Sequence, residues 1–207
     1  MELIFPDHKS GKGIYSKSKK AHPRQLVALA DEMAAWLDAK NGTFRGSFSR
    51  AYAVSHSQIA HEPYNMFVVA KEMTEAPEKG DRKHTQRNFY FPARVIFNPQ
   101  ILEAEKTITR SVPVRKLAKN GEMAVVPELK EIDNVLRVPE GCMSFPHRGE
   151  RKMDRFFRIK VRYQYLKPIP FIGGNIVLTR TEWVEGLKSH MFQHEVEHAC
   201  GKNIHFK

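Results

Sequence analysis

From Pro23 onward, apolar residues recur at Leu26, Leu29, Met33 and Leu37. That three-and-four spacing lines one face of a helix, so an amphipathic helix is predicted to run from Pro23 to about Asn41-Gly42. Short β-rich runs follow at Met66 to Ala70 and Arg94 to Phe97, separated by a polar stretch, Lys71 to Asn88, that reads as an exposed excursion between two strands. Arg158 to Tyr163 alternates polar with apolar residues, and Ile176 to Leu178 follows a Gly173-Gly174 turn, so both are predicted strands. Trp183, Leu187, Met191 and Val196 mostly keep a helical period, which predicts a second helix over Thr181 to Cys200 with Thr179 or Thr181 as its cap.

Strands gathered ahead of a C-terminal helix, without regular βαβ alternation, predict an α+β fold: antiparallel or mixed strands packed around the C-terminal helix, with a further helix near the N-terminus. No internal repeat or domain-scale linker interrupts the 207 residues, so a single domain over 1–207 is expected.

Composition narrows the setting. With 41% hydrophobic residues and no apolar run approaching the ~20 residues needed to cross a bilayer, the chain reads as a globular protein that does not span a membrane. Its N-terminus lacks the apolar stretch of a secretory signal, and a cytoplasmic location is expected, with an organelle as the other. Two cysteines, Cys142 and Cys200, make no disulfide framework and leave thiols available as ligands. Lys plus Arg exceed Asp plus Glu by 34 to 23, a formal charge of +11, which suits an anionic partner such as RNA or a ribosome but equally a solvated basic surface.

The chemistry is concentrated in His194-Glu195-Val196-Glu197-His198. On a helix, the i, i+4 spacing brings His194 and His198 to one face, where two imidazoles can meet one divalent ion. Glu195 between them can serve as general base. A catalytic site normally has a third protein ligand, and a downstream carboxylate is excluded because the nine residues after His198 contain neither Asp nor Glu. The zinc-protease pattern HExxHxxGxxH finds Gly201 in place, but the histidine is at His205, one residue late. Upstream, Glu140-Gly141-Cys142-Met143-Ser144 offers the thiolate of Cys142, and a Cys/His/His set leaves one position open.

EGCMS (Glu140 to Ser144) followed by QHEVEH (Gln193 to His198) resembles the peptide deformylases, which carry EGCLS and QHExDH in that order. Asn98-Pro-Gln-Ile-Leu102 and Gly201-Lys202 extend the resemblance over roughly residues 94 to 202. The family's first motif, GxGxAAxQ, is matched loosely by Ala51 to Gln58, with Ala51 and Ala53 for the glycines and Ser55 and His56 for the alanines.

The resemblance implies removal of the formyl group from N-formyl-methionyl peptides. Cys142, His194 and His198 would hold one divalent metal, with Fe2+ in the native form and Zn2+ or Ni2+ as substitutes. Glu195 would be the acid-base group, and Gln58 with the backbone N–H of Met143 would stabilise the oxyanion. A methionine-sized pocket would lie around Ala53, Leu187, His190 and Met191. Glu197, where the family has Asp, is expected to pair with Arg155. The chain is expected to act as a monomer and, lacking the family's further C-terminal helix as short phage-type members do, to meet the ribosome through its basic surface. A zinc metallopeptidase of the HExxH type and an inactive deformylase-like protein binding peptide or RNA are the competing readings.

Overall fold

The structure, a computed structural model, describes residues 17–43, 51–74, 90–117, 122–142, 144, 149–170, 173–202 and 204–205. A 3-10 turn over Pro23–Gln25 leads into α1 (Val27–Thr43), and Leu26, Ala30, Met33 and Leu37 bury the apolar stripe. Among the described residues nine strands follow: β1 (Ala53–Ser55), β2 (Met66–Val69), β3 (Val95–Ala104), β4 (Thr107–Leu117), β5 (Met123–Asp133), β6 (Val135–Glu140), β7 (Arg151–Phe156), β8 (Arg158–Pro168) and β9 (Asn175–Glu185). Helix α2 (Gly186–Ala199) comes last, so the expected α+β arrangement of an N-terminal helix, antiparallel strands and a C-terminal helix is present.

Five strands form one antiparallel sheet in the order β1-β2-β3-β8-β9, while β4-β5 and β6-β7 are separate two-stranded ribbons. All four residues of β2 are buried, and side chains alternate across a strand, so both faces of the sheet centre are covered. Phe67 of β2 meets Phe192 of α2 edge-on at 5.5 Å, and Tyr163 of β8 meets the same ring at 5.3 Å. Phe192 is thus the apolar peg that seats α2 on the sheet.

Asn98 sits at a register shift in β3 with φ 50°, a left-handed conformation that Asn tolerates. Its side chain accepts from the N–H of Ala21, donates to the Ala21 carbonyl and donates to Gln164, fastening the segment ahead of α1 to the sheet. Asn41 holds the other end of α1, pairing with both backbone groups of Ala51 just before β1.

The second predicted helix begins later than its pattern suggests. Thr181 to Glu185 continue β9, Trp183 pairs with Lys160 in the sheet, and neither Thr179 nor Thr181 caps a helix. The switch falls at Gly186, whose φ of 58° only glycine adopts cheaply. Strands β4 to β7 were not predicted, because two-stranded ribbons lack the buried face that imprints a clear alternation. Of the expected excursion, Lys71–Met73 forms a 3-10 turn with Met73 buried, and residues 75–89 lie outside the described residues.

One buried polar cluster fixes the base of α2. Lys188 is 1% exposed, and its ammonium donates to Glu182 at 2.8 Å and to the Tyr90 carbonyl at 3.0 Å; the Tyr163 hydroxyl donates to the same Glu182 oxygen at 2.6 Å. Burial lowers the pKa of Lys188 and raises that of Tyr163, with the pairing to Glu182 favouring the charged ammonium and the neutral phenol. Glu182→Ala should therefore destabilise the fold by about 3 kcal/mol, since it strands a buried cation. In urea unfolding, a loss below about 1 kcal/mol, the value of an exposed pair, would contradict this.

Candidate metal centre

Each side chain of the centre is aimed by an identifiable backbone device. His194 and His198 leave α2 one turn apart, with Nε2 atoms 3.0 Å from each other. The helix ends in a Schellman motif: Lys202 N–H donates to the Glu197 carbonyl, Gly201 N–H donates to the His198 carbonyl, and Gly201 takes φ 79°. That turn returns the Lys202 carbonyl to 3.1 Å from His198 Nδ1, which makes Nδ1 the donor and turns Nε2 towards His194 and Cys142. Gly201 thus closes the helix.

Cys142 follows the end of β6. Its Sγ lies 3.4 Å from His198 Nε2, and ligand atoms of Cys142, His194 and His198 all fall within 4.8 Å of one another. One sulfur and two imidazole nitrogens so disposed suit a divalent ion such as iron or zinc, with a position left for water. The donor set therefore fits the metal that the motif implies.

A buried ion-pair chain stands behind these atoms. Arg155 is 2% exposed and spans two carboxylates: Nη2 donates to Glu140 at 2.6 Å, while Nη1 and Nη2 donate to Glu197 at 2.7 and 2.9 Å. The expected Glu197–Arg155 pair is thus present. Glu140 also reaches His194 Nδ1 at 3.6 Å, so the chain runs Glu197, Arg155, Glu140, His194. Although burial opposes it, hydrogen bonding and attraction from His194 and Arg155 hold the Glu140 carboxyl at about 2. Glu140 was the partner missed from sequence; in the structure it lies on the half-buried side of β6 with Leu136 and Val138.

Gln193 fastens the halves together, accepting from the Phe156 N–H at 3.0 Å and donating to the Phe156 carbonyl at 2.8 Å. It ties α2 to β7, the strand that carries Arg155.

Glu195 and Gln58 face the same interior. Glu195 is 3% exposed, its Oε2 is buried without a hydrogen bond, and burial raises its carboxyl to about 7. Gln58 is 1% exposed and its amide has a fixed sense. Oε1 accepts from the Ser55 N–H at 2.8 Å, so Nε2 points to Ser144 Oγ at 3.2 Å and to Cys142 Sγ at 3.7 Å. The arrangement offers a proton acceptor, Glu195, and a hydrogen-bond donor, Gln58 Nε2, both neighbours of the Ser55 backbone.

Four other readings of the sequence fare differently. Met143 lies outside the described residues. Met191 is buried in the main core, with Ala53 and Leu187 packed against it, while His190 is half-buried. Neither Ala51 nor Ala53 has positive φ, so replacing the motif's glycines strains no backbone here. Cys200 is exposed beyond the helix end and outside the triad.

Comparison with known proteins bears on what this geometry belongs to. The family model described as polypeptide deformylase matches residues 12–205. The chain belongs to that family. Peptide deformylases are metal-dependent hydrolases, and the Cys/His/His group is where this deformylase can hold its ion. Its fold is similar to the peptide deformylase of Plasmodium falciparum, with a TM-score of 0.55, 17% identity, and coverage of 98% of this chain and 83% of that one. It is also similar to the enzyme of Vibrio parahaemolyticus bacteriophage VP16T in complex with actinonin, at 0.55 and 15% identity, covering 99% and 100%. For the Thermotoga maritima peptide deformylase the values are 0.54 and 18%, covering 99% and 95%. No curated protein sequence matches the chain. No helix among the described residues is long and apolar enough to cross a membrane.

The ion-pair chain predicts a measurable effect. Arg155→Ala frees Glu140 and Glu197 from their shared cation and loosens His194, so metal affinity should fall by about 10- to 100-fold. Competition with a chelator would read it. Unchanged affinity would mean that the chain of charges does not orient the ligand.

Proposed function

We propose that this deformylase removes the formyl group from N-formyl-methionyl nascent peptides at a metal held by Cys142, His194 and His198. The observation that carries the reading is the convergence of the three ligand atoms within 4.8 Å beside the buried Glu195. A divalent ion there supplies Lewis-acid polarisation of the formyl oxygen and acidifies water.

The chain's own residues do the rest. Glu195, with a carboxylate oxygen that has no competing hydrogen bond, takes the proton from the attacking water and returns it to the leaving amine. Gln58 Nε2–H donates to the oxygen on which charge develops, and the Ser55 N–H holds that amide in its working sense. By resemblance, the Met143 N–H adds a second donor. The side chain of the first residue lies along α2 near Leu187, His190 and Met191. We assign Fe2+ as the native metal, a single domain over the whole chain acting as a monomer in the cytoplasm, and contact with the ribosome through the basic surface.

The zinc-peptidase reading lacks its third histidine, because His205 falls outside the group of converging ligand atoms. An inactive binding protein would have no use for a buried, unpaired Glu195 oxygen. Anaerobically purified protein should release formate from formyl-Met-Ala-Ser and leave the unformylated peptide intact. Cleavage of an internal peptide bond without formate release would overturn the proposal.

A further inference from the structure

Gln58 is carried by a short element. It ends the 3-10 turn His56–Gln58, which is closed by Ile59 N–H donating to the His56 carbonyl at 3.1 Å. A lone 3-10 turn has poorer hydrogen-bond geometry than an α-helix, so its position depends on what its ends are tied to. On one side it follows directly from β1, where Ser55 pairs with Phe67 of β2. On the other, His61 and Glu62 are exposed.

The second anchor is a side chain. His56 is buried, its Nδ1 accepts from the Tyr64 N–H at 2.9 Å, and the two rings stack with centroids 5.7 Å apart. Burial lowers the pKa of His56, so the ring is neutral near pH 7, with Nδ1 the acceptor and Nε2 carrying the proton. Tyr64 belongs to a braced segment. Lys19 makes a parallel bridge to it, Lys19 N–H donates to the Pro63 carbonyl, Asn65 N–H donates to the Lys19 carbonyl, and β2 begins at Met66. An alanine, which the family's first motif has at position 56, could make neither the hydrogen bond nor the stack.

We infer that His56 is a positioning residue for deformylation: by tying the 3-10 turn to the Tyr64 backbone, it holds the Gln58 amide where that amide donates to the developing oxyanion. The inference rests on the deformylase reading and deepens its account of Gln58. His56 lies outside the group of converging ligand atoms, so its effect runs through Gln58 and leaves the metal in place.

A double-mutant cycle on metal-loaded protein with formyl-Met-Ala-Ser tests it. His56→Phe keeps a ring against Tyr64 and removes the acceptor; His56→Leu takes its place if the Phe variant does not fold. The substitution should lower kcat by about tenfold, a part of what a whole oxyanion donor contributes, with KM and metal content unchanged. His56→Asn puts Oδ1 at the place of Nδ1 and should return kcat to within about threefold of the wild type. In a Gln58→Ala background, removing the acceptor should change kcat by less than about twofold, since the group it positions is gone. A merely structural role would lower kcat by the same factor in both backgrounds. That result, an unchanged kcat in the single variant, or no recovery in His56→Asn would each overturn the inference while leaving the deformylase reading intact. If the wild type releases no formate, the deformylase reading fails, and NMR relaxation of the Gln58 side-chain amide decides the inference without turnover. An amide ordered in the wild type and in His56→Asn but mobile on the nanosecond timescale in His56→Phe supports it. An amide equally ordered in all three, or already mobile in the wild type, overturns it.

Discussion

Glu195→Gln should keep the metal and slow formate release by about 10²- to 10⁴-fold, the range that a positioned proton acceptor contributes. Gln preserves the shape and polarity of the side chain, and Glu195 is not among the three converging ligands, so metal content should be unchanged. Equal turnover by the variant would remove Glu195 from the chemistry. The same substitution predicts a pH effect in the metal-free protein. The ordinary value for this carboxyl is 4.5, and burial raises it to about 7 in the folded state. The folded state therefore holds the proton more tightly than the unfolded chain. Stability from this group is complete below about pH 4.5 and is lost as pH rises through about 7. Roughly 3 kcal/mol is at stake across that interval. Metal-free Glu195→Gln should match the wild type near pH 4 and exceed its stability near pH 8 in denaturant titrations. A difference independent of pH would contradict the burial argument.

Cys142→Ala should abolish activity, by more than about 1,000-fold, by removing the one anionic ligand. Two imidazoles remain, held by Glu140 and by the Lys202 carbonyl, but two neutral nitrogens bind a divalent ion far more weakly than the full set. Cys142 packs with Ile204 and Met153, so the variant also leaves a small cavity, and its fold should be checked by circular dichroism. Cys200→Ala is the matched control. That thiol is exposed past the helix end, and its loss should leave metal content and turnover unaltered. If both cysteine variants lost metal equally, the assignment of Cys142 as the ligand would fail.

The parts of the molecule that the sequence revealed are those with one dominant constraint. The α1 stripe from Leu26 to Leu37 was legible because one face of a helix must be buried. The ligand motifs were legible because an ion demands sulfur and imidazole at set positions. Elsewhere two signals competed. Trp183 and Leu187 are four residues apart, as in a helix, yet Trp183 belongs to β9 and stacks under Arg158 at 4.7 Å. The boundary at Gly186 is fixed by a positive φ that periodicity does not register. Ribbon β4-β5 leaves Met123, Val125 and Leu129 exposed, so its apolar residues give no inside-outside pattern to read.

In the site, the pairing of Glu197 with Arg155 was foreseen, but the reach of Arg155 to Glu140 and of Glu140 to His194 depends on the β6-β7 ribbon lying against α2. Lys188 was invisible for the same reason. A lysine on a helix reads as a solvated charge until the fold places Glu182 and the Tyr90 carbonyl over it.

X-ray absorption of the anaerobically purified chain tests the metal centre most directly. The account predicts one divalent ion per chain, with one sulfur at about 2.3 Å and two nitrogens at about 2.0–2.1 Å if zinc occupies the site. The sulfur contribution should vanish in Cys142→Ala and persist in Cys200→Ala. A bound ion with no sulfur neighbour, or a folded protein that retains no ion at all, would contradict it.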